Sequence, residues 1–154
     1  MTNRIVLLLA TPFILFGQAP VYKVDPFWPG PLPNKWSMQQ VVDLYVTKDD
    51  HIWFLNRSQD IRPDETGAAT TPPRAECCVR GPEVIEFDPA GNVIKTWGDF
   101  AVVPSGIHDC YVDFEGNIWV GGNTDAIAQK YSPDGKLLLQ IGEKLKFDTD
   151  TGKL

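Results

Sequence analysis

The sequence predicts an all-β fold in which one four-stranded antiparallel unit occurs twice. Two pairs of segments carry this prediction: DLYVTKDDHIWFLN (43–56) returns as DCYVDFEGNIWVGG (109–122), and EFDPAGNVIKTWG (86–98) returns as KYSPDGKLLLQIG (130–142). The first pair is separated by 66 positions and the second by 44, so an insertion of 22 residues interrupts the first copy. Without the insertion the repeat is about 44 residues long, a period typical of propellers, solenoids and other arrays.

Each copy contains four short strand signals joined by tight turns. In the second copy the signals are Cys110–Asp113, Ile118–Val120, Ile127–Tyr131 and Leu137–Ile141. The Phe-Glu-Gly-Asn and Ser-Pro-Asp-Gly sequences between them form turns, since glycine accepts a positive φ and proline presets the first turn position. Four antiparallel strands in a repeat of this length predict a β-propeller blade. The alternative is an ordinary β-sandwich, whose strands need not repeat in sequence.

The repeat boundaries divide the chain into segments. We predict a signal peptide at 1–19, a Pro-rich segment at 20–39, blade one at 40–98 with its insertion at 57–82, blade two at 99–142, and the start of a third blade at 143–154. A closed propeller typically has four to eight blades, so we expect this partial propeller to be the N-terminal part of a longer one. The alternative is a short chain that completes a ring by associating with copies of itself.

Residues 1–19 have the layout of a secretory signal. Arg4 precedes the apolar run IVLLLATPFILF, and Gly17 and Ala19 supply the small residues that precede a cleavage site. The run is too short to cross a membrane as a helix. We therefore expect a secreted or periplasmic protein with no membrane segment after cleavage; a buried N-terminal strand or a membrane anchor is the alternative.

The formal net charge of −6 at pH 7 argues against nucleic acid as a partner, because the phosphate backbone would repel an acidic surface. The Pro-rich stretch DPFWPGPLP (25–33) should be extended rather than helical. We expect it to pack across the first blade as a strap, in preference to a role as a peptide-ligand motif.

Three cysteines are present: Cys77 and Cys78 in the insertion, and Cys110 on the first strand of blade two. Export favours a disulfide, and an odd count leaves one thiol over. A bridge from Cys110 to Cys77 or Cys78 is the expected one, and it would hold the insertion over blade two. A vicinal 77–78 bridge and three unbridged thiols are the alternatives. The spacing does not match the CxxC pattern of structural zinc sites.

Hairpin geometry gathers chemically capable residues at one edge of the repeat. The start of a blade's first strand and the end of its second lie together, so His108, Arg57 and the glycine-rich loop 121–125 share that edge with the insertion. Functional groups commonly lie on such loops of a rigid scaffold. Arg57 is the candidate functional cation, or else a surface partner of Asp60 or Asp64. His108 is the candidate metal ligand, or else a hydrogen-bonded packing residue.

The unit GIHDCYVDFEGNIWVGGN…KYSPDGKLLLQIG resembles an NHL-type repeat. More narrowly, residues 40–142 resemble the β-propeller lyases that cleave peptidyl-α-hydroxyglycine to a peptide amide and glyoxylate, the peptidylamidoglycolate lyases. The resemblance implies a six-bladed ring. It also implies that Arg57, after HIWFLN, holds a substrate carboxylate and that His108 binds zinc, although Ile107 replaces the family's proline.

The same resemblance shows which family features this chain lacks. The family's zinc is held by three histidines from different blades, and its catalytic tyrosine comes from a later blade. The only other histidine here, His51, lies in a hairpin turn at the opposite face, and a catalytic zinc needs about three protein ligands. We therefore expect the N-terminal portion of a metal-dependent, lyase-like protein that acts on peptidyl-α-hydroxyglycine or a similar small carboxylate at its channel face. The alternative is a non-enzymatic propeller that binds a peptide, glycan or protein there.

Overall fold

The computed structural model describes residues 19–147. Except for residue 19, the predicted signal peptide lies outside the described residues, as does the end of the segment predicted as a third blade. The described chain forms β-strands and three-residue 3₁₀ turns, which confirms the all-β prediction. The strands are β1 (Trp36–Ser37), β2 (Val41–Val46), β3 (Ile52–Asn56), β4 (Val79–Arg80), β5 (Val84–Phe87), β6 (Val93–Trp97), β7 (Ile107–Val112), β8 (Ile118–Gly122), β9 (Ala128–Tyr131) and β10 (Leu137–Ile141).

Two four-stranded antiparallel sheets contain most of these strands, as predicted. Sheet one has the order β2-β3-β5-β6 and sheet two has the order β7-β8-β9-β10. The strands β7 and β8 begin and end 66 residues after β2 and β3, and β9 and β10 begin and end 44 residues after β5 and β6. The bulge between Val41 and Asp43 in β2 also recurs between Ile107 and Asp109 in β7. The repeated sequence therefore encodes a repeated backbone.

The insertion lies between two strands that pair directly with each other. β3 pairs with β5 across it, with Leu55 opposite Val84. The intervening chain contains 3₁₀ turns at Ser58–Asp60, Pro63–Glu65 and Gly67–Ala69, and another such turn at Pro33–Lys35 precedes β1. β4 then pairs in parallel with β1, so the insertion is attached to the end of the Pro-rich segment.

Each sheet has two distinct faces, because residues paired across neighbouring strands point to the same side. We call one side the front face. Its central row is Tyr45, Trp53, Glu86 and Lys95 in sheet one, and Tyr111, Trp119, Lys130 and Leu139 in sheet two. The two tryptophans are therefore equivalent, as the offset of 66 predicts. Alternate residues form the back face.

The two sheets stack front to back. The core contains Trp53, Leu55 and Val84 from the front of sheet one, and Cys110, Val112, Ile118, Val120 and Tyr131 from the back of sheet two. Two contacts fix the stacking geometry. The Cys110 amide N–H donates to Asp43 Oδ2 over 2.7 Å, and the ring centroids of Trp97 and Tyr131 are 4.7 Å apart.

The Pro-rich segment covers the outer part of the back face of sheet one, where a strap was expected. The ring of Trp28 lies 5.6 Å from that of Phe87, centroid to centroid, and its Nε1 donates to the Pro89 carbonyl over 3.3 Å. The inner part of that face remains exposed at Leu44 and Val46. The segment thus supplies sheet one with an apolar cover where a further sheet could otherwise pack.

The expected bridge from Cys110 to the insertion is wrong. Cys77 and Cys78 pair with each other, and Cys110 is a buried free thiol. Cys110 points from the back of sheet two into the core between the sheets, whereas Cys77 lies on the exposed surface of the insertion. The buried Cys110 thiol and the exposed Cys77 occupy separate environments, and no bridge forms between them.

Candidate functional site

One edge of the two sheets gathers the residues that the sequence singles out. β3 ends there at Asn56, and β7 begins there at Ile107. Arg57 follows the first strand directly, and His108 is the second residue of the other. The structure therefore brings both candidates to the same edge.

Arg57 links the two sheets through its guanidinium group. Its Nε and Nη2 donate to the Ile107 carbonyl oxygen over 3.2 and 2.9 Å, and Nη1 donates to Gln40 Oε1 over 3.2 Å. Asp60 Oδ2 is 3.9 Å from Nη1, a long ion pair. A guanidinium has five N–H groups, so within residues 19–147 these bonds leave two N–H groups of Arg57 for a ligand.

Buried Asn56 determines where Arg57 leaves the sheet. Its Oδ1 accepts a hydrogen bond from the Gln39 amide over 2.8 Å, and its Nδ2 donates to the Pro82 carbonyl over 3.0 Å. The next amide, that of Arg57, donates to the Gln40 carbonyl over 2.9 Å. Because Asn56 holds the chain on both sides of β3, the start of the insertion has a fixed position relative to β2.

A polar pocket of about 360 Å³ lies beside Arg57. Its lining consists of Arg57, Gln59, Asp60, Ser105, Gly106, Asn123 and Thr124. Amides, hydroxyls and one guanidinium predominate, which suits a small ligand that makes several hydrogen bonds. His108 does not belong to this lining, so the structure places the two candidates at one edge without placing both in this pocket.

Glycine is required at position 106 for the pocket wall to close. Gly106 has a φ of +61°, a backbone conformation that side chains disfavour. A Cβ atom there would also collide with Thr124 Oγ1 and Asn123 Oδ1. The absence of a side chain lets the loop before β7 lie against the loop after β8.

Asp125 holds these two loops together from inside the protein. Its side chain is fully buried, and its Oδ2 accepts a hydrogen bond from the Ser105 amide over 2.7 Å. Lys144 Nζ is 3.7 Å from the same oxygen. The other oxygen, Oδ1, is buried without a hydrogen-bond partner among the residues that the structure describes. Asp125 therefore shapes the pocket although it does not line it.

Sequence reasoning placed Asp125 at this edge within the glycine-rich loop 121–125 but gave it no role, and it missed Gln40. The position of Asp125 directly after the GGNT sequence was a signal for its role. An Asp in a loop commonly accepts hydrogen bonds from backbone amides, as Asp125 does here from Ser105. Nothing in the local sequence marks Gln40, whose role depends on its distance from Arg57 in space.

His108 offers one imidazole to solvent. Its side chain is 54% exposed, and its Nδ1 lies 3.5 Å from Asp109 Oδ1. His51 is instead hydrogen-bonded through Nδ1 to Glu86 Oε1 over 2.9 Å. Across residues 19–147, no three His, Cys, Asp or Glu side chains are grouped closely enough to hold a metal ion. The described residues therefore do not by themselves fit a catalytic zinc, which takes about three protein ligands.

The free thiol of Cys110 does not extend the set of candidate ligands. Burial, with a further contribution from nearby Asp43, raises the pKa of this thiol to about 12. Thiolate is the form that attacks substrates and binds metals. At neutral pH Cys110 is therefore a neutral core residue.

Comparison with known proteins assigns no function to this site. No protein-family model matches the chain, and no curated protein matches it at a significant level. In the part of the chain that the structure describes, no helix is long and apolar enough to cross a membrane.

Proposed function

We propose that this chain contributes two blades of a secreted or periplasmic NHL-type β-propeller, and that the pocket beside Arg57 binds a small carboxylate or a peptide that ends in one. The front-to-back stacking of two equivalent sheets supports the propeller, because blades pack on one another in this way around a ring. The observation that carries the ligand class is Arg57, which retains two N–H groups and lines a pocket whose other side chains are amides, hydroxyls and the Asp60 carboxylate.

The chemistry of a guanidinium favours this ligand class. Its planar N–H groups match a carboxylate, and a charge-assisted bond of this kind is roughly twice as strong as a neutral one. By resemblance to the peptidylamidoglycolate lyases, the substrate would be a peptidyl-α-hydroxyglycine or a similar small carboxylate. Zinc belongs to this proposal with His108 as one ligand, and its other ligands would have to come from polypeptide outside residues 19–147.

A non-enzymatic propeller that binds a peptide, glycan or protein is the second candidate function. The lone imidazole of His108 favours it, since the described residues lack a metal-binding group. The same polar pocket would then retain a ligand without converting it.

Calorimetric titration with a short peptide that ends in α-hydroxyglycine, and with the same peptide as its terminal amide, tests the carboxylate site. We expect the acid to bind more tightly, and Arg57→Gln to remove that preference. Arg62→Gln is the matched control, because Arg62 is an exposed arginine of the same insertion that pairs with Asp64 at 2.7 Å. Equal binding of acid and amide by the unaltered protein would contradict the proposal.

Zinc titration and a glyoxylate assay separate the two functions when they use polypeptide that also supplies the zinc ligands from outside residues 19–147. We expect His108→Ala to weaken zinc binding and the control His51→Ala to leave it unchanged. Glyoxylate release that requires zinc would identify a lyase. Carboxylate binding without release, even with zinc present, would identify a binding propeller.

A further inference from the structure

Glu83 is a buried acid that lacks a cation partner within residues 19–147. It is 4% exposed, and two further acids, Glu86 and Asp125, are also buried. Glu86 Oε1 is 2.9 Å from His51 Nδ1. Asp125 Oδ2 is 3.7 Å from Lys144 Nζ. By contrast, no Lys, Arg or His side chain of the described chain forms an ion pair with Glu83. A buried carboxylate is costly unless it is paired, so the charge of Glu83 is left unbalanced.

One oxygen of the Glu83 carboxylate is open to a further partner. Oε1 accepts a hydrogen bond from the hydroxyl of buried Ser58, and no other residue of the described chain donates to the carboxylate. Gly98 has a φ of +116°, and a Cβ there would lie 3.2 Å from Glu83 Oε2. The absence of a side chain at Gly98 therefore leaves room beside Oε2. Burial raises the pKa of Glu83 and the Ser58 hydrogen bond opposes that rise; a cation beside Oε2 would oppose it further.

The repeat shows that packing does not require an acid at this position. Glu83 directly precedes β5, and Ile127, 44 residues later, directly precedes β9. Ile127 is as deeply buried as Glu83. Because a hydrophobic side chain fills the equivalent place in sheet two, the carboxylate of sheet one serves a purpose other than filling space.

Glu83 lines a pocket of about 380 Å³ that suits a small organic cation. The wall includes the aromatic side chains of Trp36 and Phe100 and a second carboxylate, that of Asp99. Aromatic faces attract cations. Phe100 already does so at this wall, since Arg80 Cζ lies 5.2 Å from the centroid of its ring. The pocket therefore combines negative charge with aromatic faces, as sites for ammonium ions do.

We propose that this pocket binds a primary organic ammonium ion, which donates a hydrogen bond to Glu83 Oε2. The ammonium group supplies both the positive charge and the donor that Glu83 lacks. A calcium ion suits the pocket less, because it takes about six to eight oxygen ligands and the described lining offers only two carboxylates. The site shares no lining residue with the pocket beside Arg57, so it does not depend on the carboxylate ligand proposed there.

Calorimetric titration of the full chain at neutral pH with n-butylammonium, and with n-butanol as its uncharged counterpart, tests the site. We expect the ammonium ion to bind at least about tenfold more tightly than the alcohol, because a hydrogen bond to a charged group is the stronger kind. Glu83→Gln should remove most of that difference, while its amide oxygen can still accept from Ser58. Glu76→Gln is the matched control, because it removes the same charge from an exposed residue of the same insertion; it should leave binding unchanged.

Amide NMR spectra of the unaltered chain locate the ligand without any substitution. Butylammonium should shift the amide signal of Gly98, which adjoins Glu83, and leave that of its repeat equivalent Gly142 in place. Equal binding of the ammonium ion and the alcohol, or equal losses in Glu83→Gln and Glu76→Gln, would overturn the proposal. Shifts of the same size at both glycines would overturn it as well. Circular dichroism identifies a variant that fails to fold, and the spectra of the unaltered chain then decide.

Discussion

The two sheets have equivalent backbones and strand positions, yet the front face of sheet one is buried and that of sheet two is exposed. Trp53 lies in the core between the sheets, whereas its equivalent Trp119 is half-buried on the outside. Likewise Trp97 packs on Tyr131, while its equivalent Ile141 faces solvent. The strands themselves are equally well formed, so burial in this protein comes from stacking and not from the folding of each sheet alone.

Substitution of the two equivalent tryptophans should give the largest difference in unfolding free energy between the sheets. Trp53→Ala should lower the free energy of unfolding by about 3–5 kcal/mol, because it leaves a cavity in the core. Trp119→Ala should cost only about 1–2 kcal/mol, from lost contacts with Lys130 and Asp113. Urea denaturation at low protein concentration measures both. Equal losses would show that stacking does not control burial.

Substitution of two turn glycines should give a smaller difference in unfolding free energy. Gly135 and Gly116 both have positive φ, +81° and +82°, and a side chain costs about 1–2 kcal/mol in that conformation. A Cβ at Gly135 would also displace Trp97, whereas a Cβ at Gly116 meets nothing within 4 Å. We expect Gly135→Ala to cost about 2–4 kcal/mol, and Gly116→Ala only the conformational part, when both are compared by thermal unfolding. The same loss in both variants would mean that Trp97 does not press on this turn.

The equivalent acids Asp43 and Asp109 sharpen the comparison further. Asp43 Oδ2 accepts the amide of Cys110 from the other sheet, while the Asp109 side chain is largely exposed. Asp43→Ala should cost about 1–3 kcal/mol, because it leaves that amide without its acceptor. Asp109→Ala should change the unfolding free energy by less than about 0.5 kcal/mol. Chemical denaturation of both variants measures the difference, and a larger loss for Asp109→Ala would contradict the stacking geometry.

The smallest expected effects concern pH, since the equivalent residues Glu86 and Lys130 have different ion-pair partners, His51 in sheet one and Asp113 in sheet two. The hydrogen bond to Glu86 raises the pKa of His51 above its usual value. Its stabilising contribution is complete below about pH 6.5 and is lost as pH rises through the raised pKa. In sheet two, the hydrogen bond from Lys130 lowers the pKa of Asp113. That contribution is present above about pH 3.9 and is lost as pH falls toward the lowered pKa.

Melting curves across pH separate these two pairs. His51→Asn, which introduces the residue found at the equivalent position 117, should flatten the stability profile above about pH 6.5 only. Asp113→Asn should flatten it on the acid side only. A change on the same side of the profile for both variants would mean that the pairs are not independent.

The strands and turns were predictable from the sequence because two segments with the same residue pattern adopt the same backbone conformation. The offsets located all eight strands of the two sheets, and Ser-Pro-Asp-Gly (132–135) located a turn whose Gly135 has the required positive φ. The repeat could not report which partner covers each face. A strap across blade one was expected from the Pro-rich composition, but the contact of Trp28 with Phe87 and the choice of Cys78 over Cys110 as the partner of Cys77 depend on chain that lies outside the repeat.

For the candidate site, the sequence predicted where the residues lie but not which contacts they make. Hairpin geometry placed Arg57 and His108 at one edge, because the ends of paired strands must lie together. It did not show that Ile107 and Gln40 occupy three of the Arg57 N–H groups, or that Asp125 supports the pocket from inside. These contacts involve backbone carbonyls and buried loops, which leave no periodic trace in the sequence.

The insertion between β3 and β5 has a consequence for engineering. The pairing of Trp53 with Glu86 across the insertion matches that of Trp119 with Lys130 across a short loop. The longer connection therefore leaves the ladder in the same register on either side. We expect a peptide of similar length, grafted into the loop that leaves Gly122, to keep the ladder of sheet two in register, although it would disturb the pocket wall that Asn123 and Thr124 form.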